Sequence, residues 1–378
     1  MTVTLSAPGA ATHSQPRSVK AAANHLRRCP APQKLYATLL DETQQGVIVV
    51  DPELRVMYAN FAATLMFRSG TLKDEADLSE NEETVGLREL LLQAIGSGRQ
   101  VTGEIRLSLP LAQGVDEERI YRVVTAPVES ADGAWCILDD VTDHVRTEQI
   151  RRDFVTNASH ELRTPLSLIH GYIETLQSGL IKGGPSMQRC LEVMEKHSKR
   201  MMRIIEDLLT ISRLEGGDAQ LKYETFHVRA CVEDVLEHLT PMIELRQPQI
   251  TLDFPADGGV MNGDRFYWDQ VFTNLIENAL KENPRTGLHI KISGEWTTDE
   301  IVFVVSDDGI GIPPDDAPFV FKRFYRCGKD RAFETKGTGL GLSIVKRAVE
   351  AHGGTIDLLS IPNVETSFVM HVPARTSH

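Results

Sequence analysis

Long apolar runs are missing from this sequence. The best of them, such as Gly46–Val50 (GVIVV), fall far short of the roughly 20 residues a membrane-spanning helix needs. No apolar stretch resembles a secretory signal either. Metal-like cysteine spacing is missing too. The five cysteines, at 29, 136, 190, 231 and 327, form no CxxC pair. That argues against a cysteine metal centre and suits thiols in a reducing compartment. Positive charge is in deficit. Forty Lys and Arg face 53 Asp and Glu, a net charge of -13, which argues against nucleic-acid binding. Acids are absent from the first forty residues, which are rich in Ala, Ser and Pro and carry Arg17, Lys20, Arg27 and Arg28. Residues 1–32 are expected to form a disordered tail. An organellar transit peptide shares that composition and stays open. The expectation is a cytoplasmic protein with no integral membrane segment.

What is present suits an ordinary globular chain. Its 378 residues are long enough for two or three domains. Between 33 and 144 the pattern is mixed. GVIVVD and RVMYAN read as strands, FAATLMF and GLRELLLQAIGSG as helices, and GEIRLSLP, RIYRVVTAPV and AWCILDDVT as strands again. An antiparallel sheet with small helices on one side fits this run. From 145 to 216 the period becomes helical. Phe154, Ala158, Leu162, Leu166, Ile169, Ile173 and Leu176 recur at three- and four-residue steps. SGLIKGGPS breaks the run, and a second helix opens at Pro185–Ser186. Met187, Met194, Met201 and Leu208 lie seven apart, with Leu191 and Ile205 on a second lattice. A lone hairpin buries little, so two copies are expected to pair into a dimeric four-helix bundle. LEGGD, at 214–218, reads as a hinge. Beyond it, from 217 to 378, helices (RACVEDVLEHLTPMIE, DRFYWDQVFTNLIENALKEN, GLSIVKRAVEAHGG) alternate with strands (HIKISGEW, EIVFVVSDD, TIDLLS, SFVMHV). An α/β sandwich is expected there.

Three elements of that last segment carry candidate chemistry. Asn274, Asn278 and Lys281 share one helix face, opposite Phe272, Leu275, Ile276 and Ala279. Amide oxygens are hard donors suited to Mg²⁺, and a lysine beside them neutralises phosphate charge. Glu277 lies four residues before Lys281, at ion-pairing distance along a helix. DDGIGIPP follows an apolar strand. It sets Asp307 at the strand end, with Gly309 and Gly311 permitting a tight turn and close ligand approach. KGTGLGLSIVKRAVEAHGG puts Gly337, Gly339 and Gly341 before a helix, where backbone N–H groups favour phosphate. It is not a Walker loop, because no GK[ST] follows at the needed spacing. Each element alone has an ordinary structural reading. Their order together is far more specific.

In that order they resemble the N, G1 and G2 boxes of the Bergerat-fold ATPases: histidine kinases, DNA gyrase, MutL. FVFKRFYR between them resembles the F box of the lid in histidine kinases. The resemblance implies that Asn278 coordinates Mg²⁺, with Asn274 and Lys281 supporting metal and phosphates. Asp307 would recognise adenine, with Gly309 and Gly311 in its turn. Tyr325 and Arg326 would belong to the lid, and Gly337, Thr338, Gly339, Leu340, Gly341 and Leu342 would wrap the phosphates. Hydrolytic members carry a glutamate where Asn274 stands. An amide is no base, so the γ-phosphate stays available for an acceptor other than water.

SHELRTPLS, within 152–215, resembles the H box of the HisKA class of sensor histidine kinases. His160 would be the nucleophile, neutral near pH 7. Glu161 would accept the other ring N–H, and Thr164, four residues on, would orient water for phosphatase chemistry. Pro165 removes a helical hydrogen bond to the carbonyl of Glu161, which marks a weak point beside His160. The first segment resembles a PAS sensor, closing at Asp140-Val141-Thr142, with no residue set that predicts haem or flavin. The whole is similar to the PhoR branch without its membrane helices. Two departures are Glu282-Asn283, where Tyr-Thr or Phe-Thr is usual, and PNVETSF, which lacks the usual glycines. The implied fold is multidomain α+β: PAS-like sheet, helical hairpin and Bergerat-type sandwich. The implied activity is autophosphorylation of His160 from Mg-ATP, then transfer to an aspartate of a separate response regulator with a receiver domain, which the protein would also dephosphorylate. A hydrolytic Bergerat clamp and a pseudokinase scaffold are the alternatives.

Overall fold

The computed structural model describes residues 38–374, apart from 68–71, 73–75, 79–81, 111–115, 129–132, 180, 182, 217–220, 284–286 and 328–336. The expected tail, and Gly217 and Asp218 of the expected hinge, lie outside the described residues. The chain separates into two compact units, residues 1–151 and 152–378.

In the first unit, β1 (Gly46–Val50), β2 (Val56–Ala59), β3 (Val101–Pro110), β4 (Asp116–Pro127) and β5 (Ala134–Asp140) form one sheet in the order β2-β1-β5-β4-β3. Every pairing is antiparallel. Alternation along β1 and β5 turns Ile48, Val50, Cys136 and Leu138 inward. Against them lie α1 (Phe61–Met66) and α2 (Val85–Ser97), through Ala63, Leu87 and Leu91. Asn60 ties α1 to β1: its Oδ1 accepts from the amides of Ala63 (3.0 Å) and Val47 (2.8 Å). Glycine stops α2 as expected, Gly98 taking φ 63° and donating to Ala94. At the exit, the Thr142 hydroxyl donates to Asp140 Oδ1 (2.5 Å) and accepts from the Ile120 amide (2.9 Å). That bond fixes the strand-to-helix junction at the Asp140-Val141-Thr142 motif. There α3 (Thr142–Gln177) begins, and it continues unbroken through Pro165.

The second unit contains most of α3, then α4 (Pro185–Glu215) and an α/β sandwich. Its sheet comprises β7 (Gln249–Asp253), β9 (His289–Trp296), β10 (Glu300–Asp307), β11 (Thr355–Ile361) and β12 (Glu365–Pro373), in the order β11-β12-β10-β9-β7. All neighbours are antiparallel except β7 and β9. One sheet face packs on α5 (Val228–His238), α7 (Arg265–Glu282) and α8 (Gly341–Ala351). Trp268, Phe272 and Phe303 interlock at its centre, with ring centroids 5.2–5.9 Å apart. His352 pins two helices together. Its Nε2 accepts from the Asp264 amide (3.0 Å), so Nδ1 carries the proton donated to the Ala348 carbonyl (2.7 Å).

Three readings need correcting. RACVEDVLEHLTPMIE is two helices, α5 and α6 (Thr240–Arg246), parted at Leu239 where Pro241 opens the second. Strand β7 was missed because its burial is only partial along an exposed edge. The short pair β6 (Glu224–His227) and β8 (Val260–Gly263) carries too few residues for a readable period. Leu166, on the apolar stripe of α3, is 55% exposed in the single chain. The hairpin and the sandwich pack together within one compact unit. Ile211 of α4 is fully buried against Leu340 and Ile344, with Leu208 and Phe324 beside them.

Candidate nucleotide and phosphoryl-transfer site

The amphipathic pattern of α7 positions the first part of the site. Val271, Phe272, Leu275, Ile276, Ala279 and Leu280 are buried, which leaves Asn274, Asn278 and Lys281 on the opposite face. That face lines a cavity of about 530 Å³, a size usual for small-ligand sites. Asn274, Asn278, Lys281, Asp307, Gly311, Tyr325, Arg326, Gly337, Thr338, Gly339, Gly341 and Leu342 all reach its lining. The structure thus assembles twelve of the fourteen nucleotide-site residues expected. Gly309 and Leu340 stand behind the wall. Leu340 turns its side chain into the contact with Ile211, while its amide donates to Thr338 Oγ1 (3.2 Å).

At one end of the cavity Asp307 closes β10, 8% exposed. Burial pushes its carboxyl above the usual range, opposed by hydrogen bonds from the Gly309 amide and the Asn283 side chain, each 3.0 Å. Asn283 is the residue sequence reasoning undervalued. Its Nδ2 donates to Asp307 and to the Ala279 carbonyl (2.8 Å), and its Oδ1 accepts from the Ile310 amide (2.7 Å). A Cβ on Gly309 would fall 1.8 Å from that Oδ1, so only glycine fits there. Asn283, within the departure Glu282-Asn283, is therefore a built clamp on the carboxylate.

At the other end the glycine loop meets α7. A Cβ on Gly341 would sit 2.7 Å from Asn274 Oδ1, so the loop lies directly against that asparagine. Lys281 Nζ lies 2.6 Å from Glu277 Oε1, the pairing expected along the helix. Neutral amide oxygens beside a lysine suit Mg²⁺, which completes its shell from phosphate oxygens and water. Asn278 and Asn274 would hold it, and it would supply charge neutralisation on the phosphates.

Tyr325 and Arg326, expected in a lid, make different contacts. Tyr325 donates to Asp316 Oδ1 (2.6 Å), and that bond raises its phenol to about 12. Phe324, just before Tyr325, takes φ 61°, a costly conformation for a bulky residue. Its amide bonds to the Gly339 carbonyl (2.7 Å), and its ring sits 6.1 Å from Phe154 of α3. Arg326 donates to Glu161 Oε2 (3.0 Å), where Arg200 of α4 also donates (3.0 Å).

His160 is exposed on α3. Among the described residues Glu161 bonds these two arginines rather than the His160 ring. The Thr164 hydroxyl donates to the His160 carbonyl at 3.3 Å. From α4, Arg203 donates to Glu277 Oε1 (3.0 Å) and Asp207 accepts from the Thr338 hydroxyl (2.8 Å). Both line the cavity, and neither was flagged in the sequence. Their steps from Arg200 put them on one helix face, a signal that acquires meaning only once a partner for that face is known.

A mixed α/β sandwich with a glycine-loop cavity, joined to a histidine-bearing helical hairpin, defines a nucleotide-using phosphotransfer protein. Comparison with known proteins carries this further. Residues 40–146 match the PAS fold, 150–217 the His Kinase A (phospho-acceptor) domain, and 263–376 the histidine kinase-, DNA gyrase B-, and HSP90-like ATPase. Sensor histidine kinase WalK of Bacillus subtilis is 34% identical over 264 residues, 68% of this chain and 43% of that protein. Phosphate regulon sensor protein PhoR of Pseudomonas aeruginosa is 35% identical over 244 residues, 64% of this chain and 54% of its own. Sensor-like histidine kinase SenX3 of Mycolicibacterium smegmatis is 32% identical over 339 residues, covering 87% of this chain and 83% of that protein. The chain belongs to the sensor histidine kinases. It spans about half the length of the first curated relatives it matches. Among the described residues no helix is long and apolar enough to cross a membrane.

Proposed function

We propose that this chain phosphorylates itself on His160 from Mg-ATP and passes the phosphoryl group to an aspartate of a separate response regulator. It would work as a homodimer and also dephosphorylate that regulator. The observation that carries the reading is the 3.0 Å bond between Glu161 and Arg326. It joins the residue beside His160 to the rim of the nucleotide cavity within one unit.

In the first step a ring nitrogen of His160 attacks the γ-phosphorus. The N–P bond forms as the bond from phosphorus to the β-phosphate oxygen breaks, and ADP leaves with the electron pair. The other ring nitrogen then gives up its proton, for which Glu161 is the adjacent acceptor once released by its arginines. In the second step an aspartate carboxylate of the regulator takes the phosphorus, and the imidazole regains its proton. Adenine is held at Asp307, and the phosphates lie along Gly337–Leu342, Asn274, Asn278 and Lys281. Asn274, being no base, leaves the γ-phosphate to the histidine.

The test uses γ-labelled ATP. Acid-labile, alkali-stable label on the chain, lost in His160→Gln, is the expected result. Free phosphate without protein label would mean a hydrolytic clamp. Neither product would mean a scaffold. A panel of response regulators then identifies the acceptor of the label.

A further inference from the structure

One face of α4 runs as a ruler between acceptor and nucleotide. Arg200, Arg203, Asp207 and Ile211 follow at three- and four-residue steps and so project from the same side. Each touches a different part of the site. Arg200 meets Glu161 beside His160, Arg203 meets Glu277 on α7, Asp207 meets Thr338 of the glycine loop, and Ile211 packs on Leu340. Arg203 is therefore flanked by the acceptor segment on one side and the phosphate loop on the other.

Cations from two helices converge on this wall of the cavity. Arg203 Nη2 and Lys281 Nζ share a single acceptor atom, Glu277 Oε1, at 3.0 and 2.6 Å. Two cations on one carboxylate leave that cluster positive, and Asp207 on the same wall offsets it. The Arg203 side chain is 51% exposed, against 13% for Glu277, so most of its donors remain available. A guanidinium presents five donors in a planar fork that matches phosphate oxygens. Asp207 adds a negative charge to the same wall, which makes a cation from α4 necessary if a phosphate is to approach.

From this placement we infer that Arg203 is a positioning residue for the terminal phosphate of ATP, supplied by the hairpin and not by the sandwich. The inference rests on the nucleotide-site reading above and deepens it. ATP is then gripped at the adenine end by the sandwich and at the γ end by the helix that also holds Glu161. ADP, lacking the third phosphate, loses that second grip. Product release and loosening of the hairpin thus become one event.

The experiment measures calorimetric binding of Mg-ADP and of the Mg-bound β,γ-imido analogue of ATP to the full chain. Arg203→Ala should weaken the analogue by about tenfold or more, the loss expected for a charge-assisted bond, and weaken ADP by less than about twofold. Arg203→Lys, keeping the charge without the fork, should fall between. Glu277→Gln should leave the analogue's preference over ADP intact or increase it, because it releases the guanidinium. Equal loss of both ligands, no loss of either, or the selective loss reproduced by Glu277→Gln would each overturn the inference, reducing Arg203 to a docking ion pair. Retained ADP binding shows that a variant is folded. Failure of the wild-type chain to bind either ligand overturns the nucleotide-site reading itself, and this one with it.

Discussion

Asp307 carries two opposing demands on one carboxylate. Adenine recognition, as proposed for this carboxylate, needs it ionised, because only the charged form accepts an amino proton freely. Burial disfavours that form and raises its pKa, with the Gly309 and Asn283 bonds pulling back. The sign follows directly. As pH falls through the raised pKa, the proton occupies the acceptor and ATP affinity drops, at a pH above the ordinary aspartate range. Folding responds the opposite way. The ionised form is less favoured folded than unfolded, so stability from this group is greatest below the unfolded pKa and is lost as pH rises through the folded one. Asp307→Asn should therefore bind ATP poorly at every pH while unfolding at an equal or higher temperature. Affinity titrated against pH and a thermal melt check the two halves. Asn283→Ala should act through the same carboxylate. It strands the Ile310 amide and removes one of the two hydrogen bonds to Asp307 Oδ1, and should cost about 2 kcal/mol of stability and roughly tenfold in ATP affinity. Thr164→Ala should keep autophosphorylation and lose regulator dephosphorylation, read as label persisting on the regulator. At this scale the sequence was informative wherever chemistry sits in a contiguous box. It was silent where a bond crosses many residues, as from Asn283 to Asp307, or from Arg326 to Glu161.

Element geometry explains which of those long bonds form. Helix α4 packs on α8 through Ile211, Leu340 and Ile344, and that contact sets the register of every polar pair along the same face. Ile211→Ala should remove about 2–4 kcal/mol of burial at that contact. The measurement is amide hydrogen exchange. Faster exchange confined to the end of α4 and the first turn of α8, with the Trp268 core still protected, is expected. Uniform acceleration would show that the sandwich itself depends on the contact. The α3 helix adds a weak point of its own. Pro165 lacks the amide that would bond the Glu161 carbonyl, in the very residue whose side chain two arginines hold. Pro165→Ala should stiffen that turn and shift the ratio of kinase to phosphatase activity across signal states. An unchanged ratio would remove bending at Pro165 from the mechanism. The helices of the sandwich were legible because their buried faces keep a helical period over many residues. The break at Leu239 was not, because the apolar pattern runs on across Pro241. Strand β7 was not, because an edge strand in half-polar surroundings carries no clean alternation.

Across the whole molecule, the side of α4 turned away from the sandwich is the informative one. Leu191, Ile205 and Leu209 are 44–52% exposed there, and Met187 and Met202 are comparably bare. A single chain leaves this stripe in water, at a cost of roughly 25 cal/mol for each Å² of apolar surface. A second copy offers the same stripe, and two hairpins then close a four-helix core. Ile205 and Leu209 are each two residues from a member of the docking face, about half a turn round the helix. Helix α4 would therefore be gripped by the sandwich on one side and by the partner on the other. A rotation imposed at the dimer core would move Arg203 and Asp207 relative to the nucleotide without any change inside the sandwich. The double variant Ile205→Glu, Leu209→Glu puts like charges into that core. Light scattering should show its mass fall from twice 42.0 kDa to 42.0 kDa. Mg-ADP affinity should stay within about twofold, because the adenine and phosphate walls belong to one chain and a change of 0.4 kcal/mol or less is expected from a surface so placed. Loss of ADP binding together with the dimer would mean that the cavity needs the second copy to hold its shape.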